Sequence, residues 1–228
     1  MEKGARILII DDEPQIRKLL SVSLRAHGFV IEEAATGQEG INRTAIFKPD
    51  LLIVDLGLPD MDGKAIIHEI RQWSHAPVIV LTARDQEQEK IEALDAGADD
   101  YVTKPFSMGE LMARMRVCLR RMAAGENEPV LICGDLKVDL VQRRVTVEGQ
   151  EIKLTPTEYE IVKLLAQHAG RVLTHKQLLK AVWGTAYDVD THYIRVYIGQ
   201  IRRKIEKNPA QPKYIITESG IGYRLMGQ

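Results

Sequence analysis

Two adjacent carboxylates, Asp11 and Asp12, follow the apolar run ILII at 7–10, with Glu13 behind them, and a third, Asp55, follows LLIV at 51–54. Runs of this kind read as buried strands, and a parallel sheet lines up the C-terminal ends of its strands along one edge, where ligands bind. Three acids meeting there repel one another unless a cation joins them. An all-oxygen set suits a hard octahedral ion such as Mg2+. A carboxylate can attack a phosphoryl group when a metal neutralises both partners. Asp55 precedes Gly57, Pro59 and Gly63, so its carboxylate sits at a loop edge and is the expected acceptor. Asp11 and Asp12 are expected to hold the metal directly or through water, with the backbone carbonyl of Gly57 as a further oxygen.

Two more groups fall on the same edge. Thr82 ends the run VIVL at 78–81, and its hydroxyl can bond a phosphoryl oxygen. Lys104, before Pro105, can pair its ammonium with another. Taken singly each residue has a plainer use. Asp12 could cap a helix starting at Pro14, Thr82 could serve a turn, and Lys104 could be a solvated charge. Acidic pair, acid, hydroxyl and lysine after successive core strands are another matter, because motif and structural context agree.

The elements needed to position these groups are legible between them. The segment 14–27 places Ile16, Leu19, Leu20 and Leu24 on one helical face. Ser107 and Glu110 open another helix as a capping box, followed by Leu111, Met115 and Leu119. Five strands alternating with five helices predict an α/β doubly wound parallel sheet of flavodoxin-like order 2-1-3-4-5, with strands 1 and 3 side by side at the switch point.

This texture stops near Arg121. AAGENEP at 123–129 reads as a linker, which predicts one domain over 1–122 and a second over 130–228. The second opens with strand-like alternation over 130–147. Two helices then start at the capping boxes Thr155/Glu158 and Thr174/Gln177. A third, near 191–207, carries Ile194, Ile198, Ile201 and Ile205 on one stripe, and a hairpin at 214–225 closes the chain. The other face of the third helix offers His192, Arg195, Gly199, Gln200, Arg202 and Arg203. Arg supplies phosphate contacts, and Arg and Gln also read base edges.

Composition agrees with two soluble domains. The chain has 228 residues, 45% hydrophobic and 28% charged, with a net charge of −1. That balance hides a net −4 over 1–122 and +3 over 123–228, the pattern of a control domain joined to a polyanion-binding one. No apolar run is long enough to cross a bilayer, so membrane insertion is not expected. The two cysteines, Cys118 and Cys133, lack ligand spacing and read as buried thiols of a reducing, cytoplasmic compartment.

Residues 5–122 resemble the receiver domain of bacterial two-component response regulators. IDDE (10–13), DLGLPDMDG (55–63), LTAR (81–84) and GADDYVTKPF (97–106) carry the likeness. It implies that Asp55 accepts phosphate from a sensor histidine kinase, that Mg2+ binds Asp11, Asp12, Asp55 and the Gly57 carbonyl, and that Thr82 and Lys104 grip the phosphoryl group. Tyr101 would rotate with it. Residues 129–227 resemble the winged-helix effector domain of the OmpR/PhoB subfamily through LTPTEYEIVKLL (154–165), VLTHKQLLKAVWG (172–184) and ITESGIGYRL (216–225). This implies a helix in the major groove of promoter DNA and a wing at the neighbouring minor groove. Ser219 stands where the subfamily often has a wing arginine, which leaves Lys213, Thr217 and Arg224 as candidate backbone contacts. A finer likeness, in DLGLPD, RQWS (71–74), HYIRVYIG (192–199) and ESGIGYR, is to the Kdp-type branch that regulates potassium-uptake genes.

The resemblance also implies a homodimer on phosphorylation. Its face would use Lys90, Asp95, Asp99 and Asp100 near the fourth helix and Glu110, Arg114, Arg116 and Arg121 on the fifth. Lys90 would meet Glu110, and Asp100 would meet Arg114, across the two-fold axis, setting two effector domains on tandem half-sites. RNA polymerase stands as a further candidate partner. Apart from the receiver's own phosphoryl transfer and autodephosphorylation, no enzyme activity is expected. Two rival readings stay open from the residues alone. One is a Mg-dependent phosphatase or phosphotransferase using Asp55 on a small substrate. The other is a DNA-binding regulator that answers a different stimulus or keeps its receiver as a scaffold.

Overall fold

The structure, a computed structural model, describes residues 4–83, 87–124, 129–184 and 192–226. Contacts divide the chain into two compact units, 1–123 and 124–228.

The first unit alternates throughout: β1 (Arg6–Ile10), α1 (Pro14–Ala26), β2 (Val30–Ala34), α2 (Gly37–Phe47), β3 (Leu51–Asp55), α3 (Gly63–Arg71), β4 (Val78–Ala83), α4 (Glu87–Asp95), β5 (Asp100–Lys104) and α5 (Met108–Ala124). Its strands form one parallel sheet in the order β2-β1-β3-β4-β5. Helices on both faces explain why β1 and β3 are continuous apolar runs rather than alternating ones. Leu8, Ile9, Leu52 and Ile53 are fully buried. On α1, Leu20 and Leu24 enter the core, while Leu19, expected beside them, faces out. The cap of α5 is half of the expected box. Ser107 Oγ accepts the Glu110 amide at 3.1 Å, but the Glu110 carboxylate accepts from Arg114 instead of turning back. Helix α5 continues through Ala124, into the stretch read as linker; residues 125–128 of that stretch are outside the described residues.

The second unit opens with β6 (Val130–Cys133), β7 (Leu136–Asp139), β8 (Arg144–Val147) and β9 (Gln150–Ile152), an antiparallel sheet in chain order. There follow α6 (Pro156–Gln167), β10 (Val172–Thr174), α7 (His175–Trp183), α8 (His192–Ile205), β11 (Ile215–Glu218) and β12 (Gly222–Leu225). Both predicted capping boxes are complete, on α6 and α7. The hairpin β11–β12 is extended by β10 into a three-stranded sheet that the sequence did not announce, because a strand of three residues has no period to read. The four isoleucines of α8 are buried with Tyr159, Val162, Leu165 and Leu178 in one core.

Two contacts fix α8 to its surroundings. The buried Glu206 carboxylate, just past the helix, accepts the amides of Lys213 (2.7 Å), Tyr214 (2.8 Å) and Ile215 (2.9 Å). Lys204 Nζ reaches the buried Glu158 at 2.6 Å, tying α8 to α6.

Candidate functional site

The acidic trio forms where β1 and β3 end. Asp11, Asp12 and Asp55 each offer an oxygen within 4.8 Å of the others. Asp11 follows β1 and is completely buried, Asp55 closes β3 and is buried, and Asp12 is exposed. The turn into α1 shapes Asp11, whose Oδ1 accepts the Glu13 amide at 2.8 Å. Asp55 Oδ2 accepts the Gly57 amide at 3.2 Å. The following loop doubles back so tightly that a Cβ on Gly63 would lie 2.6 Å from the Asp55 carbonyl oxygen, which excludes any larger residue.

Lys104 closes the cluster. Its Nζ is 2.8 Å from Asp55 Oδ1, 3.2 Å from Asp11 Oδ2 and 3.3 Å from Glu13 Oε1. The Lys104–Pro105 peptide is cis. Thr82, buried near the end of β4, pairs in register with Thr103, one residue before Lys104, so it stands on the same edge. Burial raises the Asp11 carboxyl above its ordinary 3.8, the repulsion of Asp55 adds to this, and the Glu13 amide and Lys104 offset only part. Burial works against the Lys104 charge too, yet the bonds to Asp55 and Asp11 outweigh it and hold the ammonium above 10.5. An all-oxygen set in which one carboxylate is held back from ionising is short of positive charge, and a divalent cation supplies it. The donor set fits a hard metal ion.

Two participants escaped the sequence reading. Glu13 shares Lys104 with Asp11 and Asp55. Asp60, in the loop after Asp55, accepts the amides of Gly37 (2.8 Å) and Gln38 (3.0 Å) at the start of α2, and so pins that loop to the helix. The run DLGLPDMDG held Asp60 in view, but nothing local to it points to a helix start twenty residues earlier.

Tyr101 is buried on β5, its ring facing the ammonium of Lys90 (5.4 Å) and the guanidinium of Arg114 (5.7 Å). Arg114 also grips Asp100 with two bonds of 2.9 and 3.0 Å and reaches Glu110 at 3.0 Å, all within one chain. The Asp100–Arg114 pair expected across a two-fold axis is thus already made inside the protomer. Asp99 does not belong to an outward face: it is buried and holds Arg71 at 2.7 Å and the Val78 amide at 2.9 Å. Asp95 and Arg116 are exposed, Lys90 and Glu110 half-buried. The Arg121 side chain lies outside the described residues, as do Arg84 and Thr191.

On α8, His192, Arg195, Gln200 and Arg203 are exposed and Gly199 is half-buried. Arg202 differs from its neighbours. It donates to the Ile215 carbonyl (3.0 and 2.5 Å) and to Thr217 Oγ1 (2.8 Å), with its guanidinium over the Tyr223 ring. Arg224, expected as a backbone contact, is only 8% exposed. It donates to the Gly170 carbonyl and pairs with Glu218, both at 2.9 Å. Arg224, which is buried, and Arg202, which is half-buried, therefore donate inside the domain, because guanidinium groups withdrawn from water must find acceptors and these carbonyls are at hand. Lys213 is exposed and pairs with Asp135 at 2.9 Å. Lys90 and Tyr101, like the other receiver residues, lie in the first unit, and the α8 face lies in the second.

Comparison with known proteins agrees with both units. The family model of the response regulator receiver domain matches residues 7–116, and that of the C-terminal domain of transcriptional regulatory proteins matches 149–225. The chain belongs to the response regulators, as a transcriptional regulator of the OmpR/PhoB type with a receiver and a DNA-binding domain. It is 48% identical over 220 residues to the transcriptional regulatory protein KdpE of Mycobacterium tuberculosis, covering 96% of this chain and 97% of that one. It is 49% identical over 221 residues to the KDP operon transcriptional regulatory protein KdpE of Escherichia coli, covering 96% and 98%. Among solved structures, a two-component response regulator from Clostridium difficile aligns with a TM-score of 0.51 and 32% identity, over 52% of this chain and 98% of that one. Among the described residues no helix is long and apolar enough to cross a membrane.

Proposed function

We propose that Asp55 accepts a phosphoryl group from the phosphohistidine of a sensor kinase in the cytoplasm and that the modified receiver pairs with a second copy on promoter DNA. The observation that carries this is the convergence of three carboxylates within 4.8 Å with Lys104 seated among them. Mg2+ bound by Asp11, Asp12, Asp55 and the Gly57 carbonyl would supply the charge neutralisation that in-line phosphoryl transfer needs. An Asp55 carboxylate oxygen forms the new bond to phosphorus, and the bond from phosphorus to the imidazole nitrogen breaks with its electron pair left on the ring. Lys104 then exchanges part of its bond to Asp55 for one to a phosphoryl oxygen, and the Thr82 hydroxyl donates to another. Burial of Asp11 and Asp55 keeps water from competing for these contacts.

Pairing is proposed through α4, β5 and α5. Lys90, Asp95, Glu110 and Arg116 would meet a two-fold mate, while Asp100 and Arg114 would exchange their internal bond for one across the axis. RNA polymerase is a candidate partner of the DNA-bound dimer. Similarity near 48% over almost the whole chain to two KdpE proteins, one of them the regulator of the KDP operon, supports potassium-uptake genes as the target.

The test is to treat the protein with a small phosphodonor and Mg2+, then measure its mass, its oligomeric state and its affinity for the promoter upstream of a potassium-transport operon, beside Asp55→Asn. The wild type should gain one phosphate, dimerise and bind more tightly, and Asp55→Asn should do none of these. Equal phosphate uptake by Asp55→Asn sinks the acceptor assignment. Uptake without dimerisation or tighter binding sinks the switch.

A further inference from the structure

On α8, at about 100° per residue, the positions opposite the buried isoleucines are His192, Val196, Gly199 and Arg203. Gly199 is not required by the fold. It sits mid-helix, its φ is not in the left-handed region, and a Cβ built on it meets no described atom within 4 Å beyond the helix's own backbone. Gly63, by contrast, is held to glycine by a carbonyl 2.6 Å away. In a helix interior glycine is the least favourable residue after proline. A cost with no compensation inside the domain points to something that approaches from outside. Beside it Val196 is 44% exposed, on a face that also carries His192, Tyr193, Arg195, Gln200 and Arg203. Valine gains nothing there from helix propensity. The two residues make a small apolar notch in a basic surface.

We infer that Val196 and Gly199 read the 5-methyl group of a thymine in the recognised half-site, an inference that rests on the DNA-binding reading of α8 and adds a base to it. The bare Gly199 backbone lets the base edge approach the helix, and the Val196 methyl groups cover the thymine methyl. Arg195 and Arg203 on either side are placed for phosphates, which favours a polyanion over an apolar protein partner. In the major groove the thymine methyl is the one base feature that an aliphatic side chain can recognise.

The full-length chain, treated with phosphodonor and Mg2+, is used to select duplexes from a random pool. In the best duplex each thymine is then replaced in turn by uracil, which removes only the methyl group. One replacement per half-site should weaken the wild type roughly 3- to 10-fold and leave Val196→Ala unchanged. Gly199→Ala should keep or raise the thermal midpoint and bind the selected duplex about tenfold more weakly, while binding a mixed-sequence duplex at low salt as before. The inference is overturned if no uracil matters, if every uracil that matters does so equally for Val196→Ala, or if Gly199→Ala lowers the thermal midpoint. Failure of the pool to enrich any duplex removes the DNA-binding reading itself, a separate outcome.

Discussion

Lys104 and Asp55 are bonded at 2.8 Å although β5 and β3 do not touch, since β4 lies between them. The lysine spans the end of the intervening strand, over the edge where Thr82 stands. It is the positive charge of the cluster before any cation arrives. Lys104→Met should therefore bind Mg2+ more tightly, by roughly tenfold or about 1.4 kcal/mol, and take up phosphate from a small donor at least about 100-fold more slowly. Titration calorimetry and intact mass measure the two effects, and a parallel loss of both would contradict this arrangement.

Asp11 carries a pH signature. Its folded pKa lies above the unfolded value, so its contribution to stability is complete below 3.8 and is lost as pH rises through the folded value. At neutral pH the metal-free receiver is therefore burdened by this carboxylate. Asp11→Asn should raise the thermal midpoint without metal at pH 7.5 and do little at pH 4. Mg2+ should stabilise the wild type more at pH 7.5 than at pH 5, and this gain should shrink in the variant.

The internal Arg114–Asp100 pair makes a claim about the unmodified protomer. Asp100 is 1% exposed, and removing the partner of a buried charge costs about 3–5 kcal/mol. Arg114→Ala should lower the unfolding free energy of the unphosphorylated chain by about that amount in urea. A loss confined to the phosphorylated form would mean that Arg114 serves only the interface.

The arginines of the second unit should separate by salt dependence. Arg203 is exposed on the outer face of α8, so Arg203→Ala should reduce the slope of log affinity against log salt by about one. Arg224 is spent inside the domain, and Arg224→Ala should leave that slope unchanged while lowering stability by about 2 kcal/mol, because the Gly170 carbonyl and Glu218 lose their donor. Thermal melts beside a salt titration read both.

These arginines also mark where the sequence stops being legible. The acidic trio could be read because each acid ends a buried run, and the strand order because helices separate the runs. The four isoleucines of α8 fixed which way that helix faces. Arg202 lies at the border of the stripe, where a long side chain can turn either way, and only the Ile215 carbonyl decided it. Glu206 and Asp60 act through backbone amides distant in sequence, a pairing with no local pattern. Asp99 sat beside Asp100 in the text, yet it faces Arg71 rather than a mate.

His175 gives the DNA-binding unit its own pH response. Burial, and after it the nearby Arg195, hold its pKa below 6.5, and its ring meets Tyr223 edge-on at 5.4 Å. A depressed histidine is neutral in the folded state, so stability is lost as pH falls below 6.5. The melting temperature of this unit should drop between pH 7 and pH 5, and His175→Phe should flatten the drop.

The order in which the site residues leave the ribosome has a consequence for when this protein can hear its kinase. Asp55, the proposed acceptor, is synthesised well before Lys104, and β5 must emerge and join the sheet before the lysine can reach across β4. On that reading, a nascent receiver that already displays Asp55 would respond only slowly until its last strand has docked. Phosphate would then mark chains whose receiver sheet is complete ahead of those still being made.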